Sequence, residues 1–309
     1  MTVPVTVVTG FLGAGKSTLV DAWLRELGAS DTALIINEVG EVGLDADLLA
    51  GRTRRVREIA GGCVCCSTQS ELASALVALA DDLGAASAPR ILVETSGAAS
   101  PAGVVGAIQS TGGRARLDGI LTVVDASRLD WVLGFDLALE QLGFADAVVL
   151  SHADRCDAIS LERAEARLAS LAAMAPLARS NHRAAPPLVP LLHERAKVLR
   201  EPSSDSAHTP FESIAMTVDG ALDEERFGDF IEVCIAPVGA RIVRLKAIIA
   251  MAGVEQRVIV HGVADDIAVL LGEPWTDAER RLSRLVILGL GLDALDRDAL
   301  AAHFAACAA

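Results

Sequence analysis

The stretch "GFLGAGKST", Gly10 to Thr18, constrains this chain more than any other. It follows the apolar run "VPVTVV" and leads into "STLVDAWLREL", where apolar residues recur at helical spacing. Strand, glycine-rich turn and helix in that order, with the spacing G-x-x-x-x-G-K-[ST], predict a phosphate-binding loop. Gly10, Gly13 and Gly15 let the backbone curl so that its N–H groups, that of Ala14 included, point at phosphate oxygens. Lys16 then reaches the terminal phosphates, Ser17 can ligate Mg²⁺, and Thr18 stands beside it in the first helical turn. The alternative is a glycine-rich turn that binds nothing.

Short β-rich runs alternate with helical patterns through the first half: "VPVTVV", "TALIIN", "RILVE", "GILTVVD" and "ADAVVL" are separated by stretches such as "SELASALVALADDL". Strands buried on both faces and joined by helical crossovers predict an α/β fold, a doubly wound, mainly parallel sheet of the phosphate-loop NTPase kind. A run rich in Pro, His, Ser and Arg, from about Arg179 to Pro210, breaks the pattern. The expected organisation is a nucleotide domain over residues 1–185, a linker over 186–211, and a small α+β domain over 212–309. The last carries "SIAMTV", a helical "LDEERFGDFIEVC", "ARIVRLKAIIAM", "QRVIVHGV", "SRLVILGLG" and a final helix, "DRDALAAHFAAC".

Charge narrows the partners. With 27 basic against 41 acidic side chains the net charge is -14, which repels a phosphate backbone and excludes a nucleic-acid-binding role. Any bound phosphate must be held locally. The N-terminus "MTVPVTVVTG" has no basic n-region, and the longest uncharged run, Thr95 to Gly113, is rich in Gly, Ser and Thr. These features predict a soluble cytoplasmic protein with no membrane partner.

A phosphate loop needs an acidic residue at the end of a second buried strand, near the metal and the attacking water. "ILVETSG" supplies Glu94, and Gly97 follows where the chain must swing past the terminal phosphate. Thr95, Ser96 and Ser100 could also build a helix N-cap there. For the base, "AVVLSHAD" places Ser151 and Asp154 at the end of a later strand. A carboxylate there accepts from guanine's N–H edge, so guanine is expected over adenine.

"GGCVCC" puts Cys63, Cys65 and Cys66 within four positions of a chain with six cysteines. The residues leave three readings open: a metal site, core filler, and a redox pair strained by adjacency. Cys156, Cys234 and Cys307 stand alone and are expected to pack. His261 is expected on a strand. "RIVRLK", with Arg241, Arg244 and Lys246, reads as a solvated face.

Taken together, "TGFLGAGKSTL", "NEVGEVGLD", "GGCVCC", "ETSGAASP" and "SHAD", with "RLKAIIAM" and "SRLVILGLGLD" behind them, resemble the CobW-like GTPases. That group is related to nickel-insertion GTPases and nitrile hydratase activators. The resemblance implies a GTP-hydrolysing metallochaperone whose thiols Cys63, Cys65 and Cys66 carry Zn²⁺ or Co²⁺. It implies Lys16 and Glu94 as catalytic groups, Ser17 as a Mg²⁺ ligand, and Glu38 as a carboxylate for either metal. It implies a client apo-metalloprotein or a metal-cofactor biosynthetic enzyme as partner, and is compatible with nucleotide-dependent homodimers. His152 stands where the family usually has Lys, and the histidine-rich stretch of many members is missing. The rival functions are a small-molecule kinase built on the same loop and a metal buffer that binds nucleotide without turnover.

Overall fold

The computed structural model describes residues 2–27, 31–38, 55–60, 66–84, 86–172, 175–180, 185–189, 191, 212–263, 266–276, 279–289 and 291–309. Two compact units divide the chain, Met1–Arg195 and Ala196–Ala309.

The first unit is built on a seven-stranded sheet in the order β3-β2-β4-β1-β5-β6-β7. The strands are β1 Val3–Thr9, β2 Thr32–Glu38, β3 Val56–Ala60, β4 Arg90–Glu94, β5 Ala115–Asp125, β6 Ala147–Ser151 and β7 Leu177–Arg179. Every pairing between neighbours is parallel. The expected doubly wound α/β architecture is therefore present. Its helices are α1 Lys16–Leu27, α2 Cys66–Asp82, α3 Pro101–Gln109, α4 Leu129–Val132, α5 Asp136–Gly143 and α6 Ala158–Leu171.

Packing follows from side-chain type. Leu19, Val20, Trp23 and Leu24 of α1 close over Val8, Leu34, Leu92, Leu121 and Val149, one from each of five strands. The indole N–H of Trp23 donates to the Pro186 carbonyl at 2.7 Å, and Leu188 and Leu191 lie in the same core. This unit thus extends beyond residue 185. Under α6, Leu161 and Leu168 pack on Val148 and Leu150.

Strands β3 and β7 are absent from the sequence expectation. β3 carries Arg57 and Glu58 in "VREIA", which breaks its apolar run, and β7 has only three residues. Both are the sheet's outermost strands. An edge strand needs less apolar surface because one flank has no neighbour to pack against.

The second unit holds a five-stranded sheet in the order β11-β10-β9-β12-β8. Its strands are β8 Glu212–Asp219, β9 Ile242–Ala250, β10 Gln256–Val263, β11 Asp266–Pro274 and β12 Leu282–Gly289, all paired antiparallel. Helices α7 Glu224–Phe230 and α8 Arg297–Ala305 bring Phe227, Phe230 and Phe304 onto the face formed by Leu245, Ala247, Ile249, Val258, Val260, Leu285 and Ile287. β11 was not expected from the sequence; it is an edge strand whose Ile267, Val269 and Leu271 remain exposed.

One expectation fails here. Arg244 and Lys246 are 1% and 0% exposed, so of the solvated face expected for "RIVRLK" Arg241 alone meets water. Strand alternation does put both opposite Leu245 and Ala247, but alternation assigns a face without telling whether water reaches it. The lone cysteines pack as expected: Cys307 is buried, and Cys156 and Cys234 are partly so. His261 lies on β10. Among the described residues no helix is long and apolar enough to cross a membrane.

Candidate functional site

The loop from Gly10 to Gly15 springs from the carboxyl end of β1, where parallel strands converge on helix N-termini. Its glycines carry the turn: Gly10, Gly13 and Gly15 have φ of 140°, 75° and 88°. Gly10 is doubly constrained, since a Cβ there would lie 2.2 Å from the Val123 carbonyl oxygen. Lys16 folds back over the loop, its Nζ donating to the carbonyls of Gly10 at 2.9 Å and Phe11 at 3.4 Å. This buries an ammonium group against backbone oxygens, poised above the place the loop leaves for phosphate.

Ser17 and Glu94 are brought together from opposite sides of the site. The Ser17 hydroxyl donates to Glu94 Oε1 at 2.7 Å, and Glu94 sits in register with Val8 at the carboxyl end of β4. The next residue, Thr95, is pinned by its N–H to the Val8 carbonyl and by its hydroxyl to Thr9 Oγ1, both at 3.0 Å. Ser100 caps α3 by accepting from the Ala102 N–H, so this segment does build the expected helix start. Between them Gly97 presses on the phosphate loop: a Cβ there would meet the Leu12 nitrogen at 2.7 Å.

The side expected to read the base forms at the end of β6. The Ser151 hydroxyl lies 2.6 Å from the Ala14 carbonyl and 3.2 Å from that of Val124, tying this strand end to the phosphate loop. His152 follows in the left-handed region, φ 52°, the one described non-glycine residue with positive φ. That turn brings its ring beside Gly15, whose missing Cβ would be 3.7 Å from Nε2. Asp154 is exposed on the 3₁₀ turn Ala153–Arg155, and Thr18 is exposed at the start of α1. Behind the turn, burial pushes the Cys156 thiol up, and the carboxylates of Asp125, Asp157 and Asp154 push it further.

Of the expected metal ligands, Cys63 and Cys65 lie outside the described residues. Cys66 opens α2 and Glu38 ends β2, but neither side chain is described.

Sequence reasoning passed over Gln141. This residue of α5 is buried; its amide donates to the carbonyls of Gly97 at 3.4 Å and Ala99 at 3.1 Å. A lone Gln on the apolar face of "DLALEQLG", amid Ala138, Leu139 and Leu142, was the available signal. It passed over Phe11 too, which stacks with Phe135 at 4.6 Å between ring centroids.

Comparison with known proteins agrees with this geometry. Residues 4–179 match the family described as "CobW/HypB/UreG, nucleotide-binding domain", and residues 211–308 that described as "Cobalamin synthesis protein cobW C-terminal domain". The chain is 30% identical over 306 residues to zinc chaperone YjiA of Escherichia coli K12, covering 94% of this chain and 95% of that protein. It is 32% identical over 341 residues to zinc chaperone CobW of Pseudomonas aeruginosa, covering 94% of this chain and 88% of that protein. The crystal structure of Zn(II)-bound YjiA GTPase from E. coli superposes with a TM-score of 0.69 at 25% identity, covering 100% of both chains. A glycine loop closed by Lys16, a Ser17–Glu94 contact at its mouth and both matched domains in order lead to one conclusion: the chain belongs to the CobW family of the CobW/HypB/UreG group.

Proposed function

We propose that this protein is a GTP-hydrolysing metallochaperone that carries zinc, or cobalt, on Cys63, Cys65 and Cys66 and releases it to a client metalloprotein according to its nucleotide state. The observation that carries the reading is the Ser17–Glu94 hydrogen bond of 2.7 Å directly behind Lys16. A kinase reading also uses this loop, but gives no role to three clustered thiols.

Ser17 and Glu94 present hard oxygen donors side by side, a set that suits Mg²⁺. When bound, Mg²⁺ neutralises charge on the phosphoryl oxygens of the substrate. Lys16 would exchange the Gly10 and Phe11 carbonyls for the terminal phosphate of GTP, at little cost in new desolvation because its ammonium is already buried. Glu94, fixed at a strand end, would orient the attacking water. Asp154 accepts from the N–H edge of guanine, while adenine offers it no donor in that pose. Its neighbour His152 lays its ring against the loop where relatives of this class usually place Lys.

Three thiolates fill only part of a tetrahedron, which suits a site that must open. Residues 38 to 66 lie in the chain between the phosphate loop and Glu94, the interval in which phosphate-loop GTPases place segments that respond to the terminal phosphate. The test is a titration of Zn²⁺ and Co²⁺ with a non-hydrolysable GTP analogue, with GDP and without nucleotide, followed by thiolate-to-cobalt absorption. Metal affinity should differ between the two nucleotide states by about 5- to 150-fold, a coupling of roughly 1–3 kcal/mol. Indistinguishable affinities would sink the mechanism.

A further inference from the structure

Three aromatic side chains gather at the outer wall of the phosphate loop. Phe11 is buried beneath Trp131 and Phe135, with centroid distances of 5.7 and 4.6 Å, and those two rings meet edge to face at 4.9 Å. Val132 and Ala138 lie under them. The tops of the rings face water: Trp131 is 54% and Phe135 38% exposed, and Leu12 of the same loop is 60% exposed. A contiguous exposed cluster of aromatic rings of this kind marks an interaction surface.

Its charge tells what fits it. Asp130 and Asp136, next in the chain to Trp131 and Phe135, are exposed, and the segment from Ala126 to Gly143 carries these and Glu140 against one cation, Arg128. A second copy would set these carboxylates against themselves, on a chain whose net charge is already -14. A partner with Lys or Arg flanking large apolar side chains matches both the rings and the rim.

The surface is also wired to the site. Phe11 and Leu12 belong to the phosphate loop, and Gly97 abuts Leu12 closely enough that a Cβ would sit 2.7 Å from its nitrogen. From the other side, Gln141 of α5 holds the carbonyls of Gly97 and Ala99, and the Ser100 hydroxyl donates to Glu140 at 2.5 Å. The segment bearing Trp131 and Phe135 therefore contacts the loop before α3 at two points and the phosphate loop at a third.

From this we infer that Leu12, Trp131 and Phe135, rimmed by Asp130 and Asp136, form the docking surface for a client segment of large apolar residues flanked by basic ones, with an affinity set by the bound nucleotide. The nucleotide dependence rests on the GTPase reading above; the surface itself does not.

The test uses the full chain and a labelled peptide, Lys-Lys-Leu-Phe-Ser-Leu-Leu-Lys-Lys, beside one version with Glu for Lys and one with Ser for the apolar residues. Binding is read by anisotropy without nucleotide, with GDP and with a non-hydrolysable GTP analogue, and GTP binding is measured separately. The first peptide should bind at least about tenfold more tightly than either control. Trp131→Ser should lose that preference, and Asp130→Lys with Asp136→Lys, exposed changes that touch no core residue, should transfer it to the Glu peptide. Affinity should change with nucleotide by about fivefold or more.

Equal binding of the Ser peptide, or an unaltered preference in the lysine variant, overturns the surface. A dimer seen by sedimentation that Trp131→Ser abolishes overturns the assignment of partner, as does a preference for anionic vesicles over the peptide. Equal peptide affinity in all nucleotide states, in protein that binds GTP, overturns the linkage. Absence of GTP binding with peptide binding intact would instead tell against the GTPase reading alone.

Discussion

The Ser17 hydroxyl donates to the Glu94 carboxylate across 2.7 Å, joining the helix that follows the phosphate loop to the end of a neighbouring strand. In the proposed mechanism this contact sets the geometry of the Mg²⁺ position and the water position together. Glu94→Gln keeps the size and one acceptor but removes the charge. Turnover of GTP should fall by about 10²- to 10³-fold, with a higher Mg²⁺ requirement and nucleotide binding retained. Steady-state hydrolysis against Mg²⁺ concentration checks this.

Lys16 folds over the loop by donating to the carbonyls of Gly10 and Phe11. Lys16→Ala should abolish turnover and leave the fold intact, because the lost group stabilises the transferring phosphate and is no part of the apolar core. The thermal midpoint should move by no more than about 4 °C. A protein that unfolds outright would make the lysine a structural clamp.

Asp154 is exposed on the turn after β6, free of the core. Asp154→Asn exchanges an acceptor for a donor, and xanthine presents the matching exchange on the base. The variant should prefer xanthosine triphosphate over GTP in competition binding. Equal competition by ATP and GTP for the unmodified protein would remove the base-reading role.

Two loop glycines separate steric from conformational cost. In Gly10→Ala the new methyl would meet the Val123 carbonyl at 2.2 Å, whereas around Gly13 nothing lies within 4 Å. Gly13→Ala should lose roughly 1–2 kcal/mol, the cost of a left-handed backbone. Gly10→Ala should lose that and about 1–3 kcal/mol more for overpacking. Urea midpoints for the first unit's transition rank them.

Two thiols should be inert. Burial raises the Cys156 thiol, with Asp125, Asp157 and Asp154 adding to it; burial also raises Cys307, with Cys234 next. At pH 8 both should react with iodoacetamide more than about tenfold slower than free cysteine. Unfolding releases them to ionise at an ordinary value of about 8.5. Stability from the protonated thiols is therefore complete below that pH and declines as pH rises above it toward the raised folded values. Mass spectrometry after timed alkylation tests the order.

The nucleotide half of this fold was legible because its information is local. A strand, three glycines and a lysine occupy fourteen consecutive positions, and five buried strands announce themselves as apolar runs. What escaped is tertiary. β3 and β11 are edge strands, one interrupted by charges, the other carrying Gly272 and Glu273 near its end. Arg244 and Lys246 lie on the face that alternation predicts, but alternation does not tell whether water reaches that face. Gln141 and the Phe11 rings occupy positions that the phosphate-loop and strand-end motifs leave unspecified; only the fold joins them to Gly97 and Leu12.

The Ser151 hydroxyl, set between the carbonyls of Ala14 and Val124, makes the base-reading turn and the phosphate cradle one piece before any ligand arrives. A nucleotide entering such a cleft finds both of its ends already spaced, so little chain entropy is lost in shaping that side of the site. On the GTPase reading proposed above, base and ribose would secure tenancy on this preset side, and the γ-phosphate would be left to act on the rest of the rim.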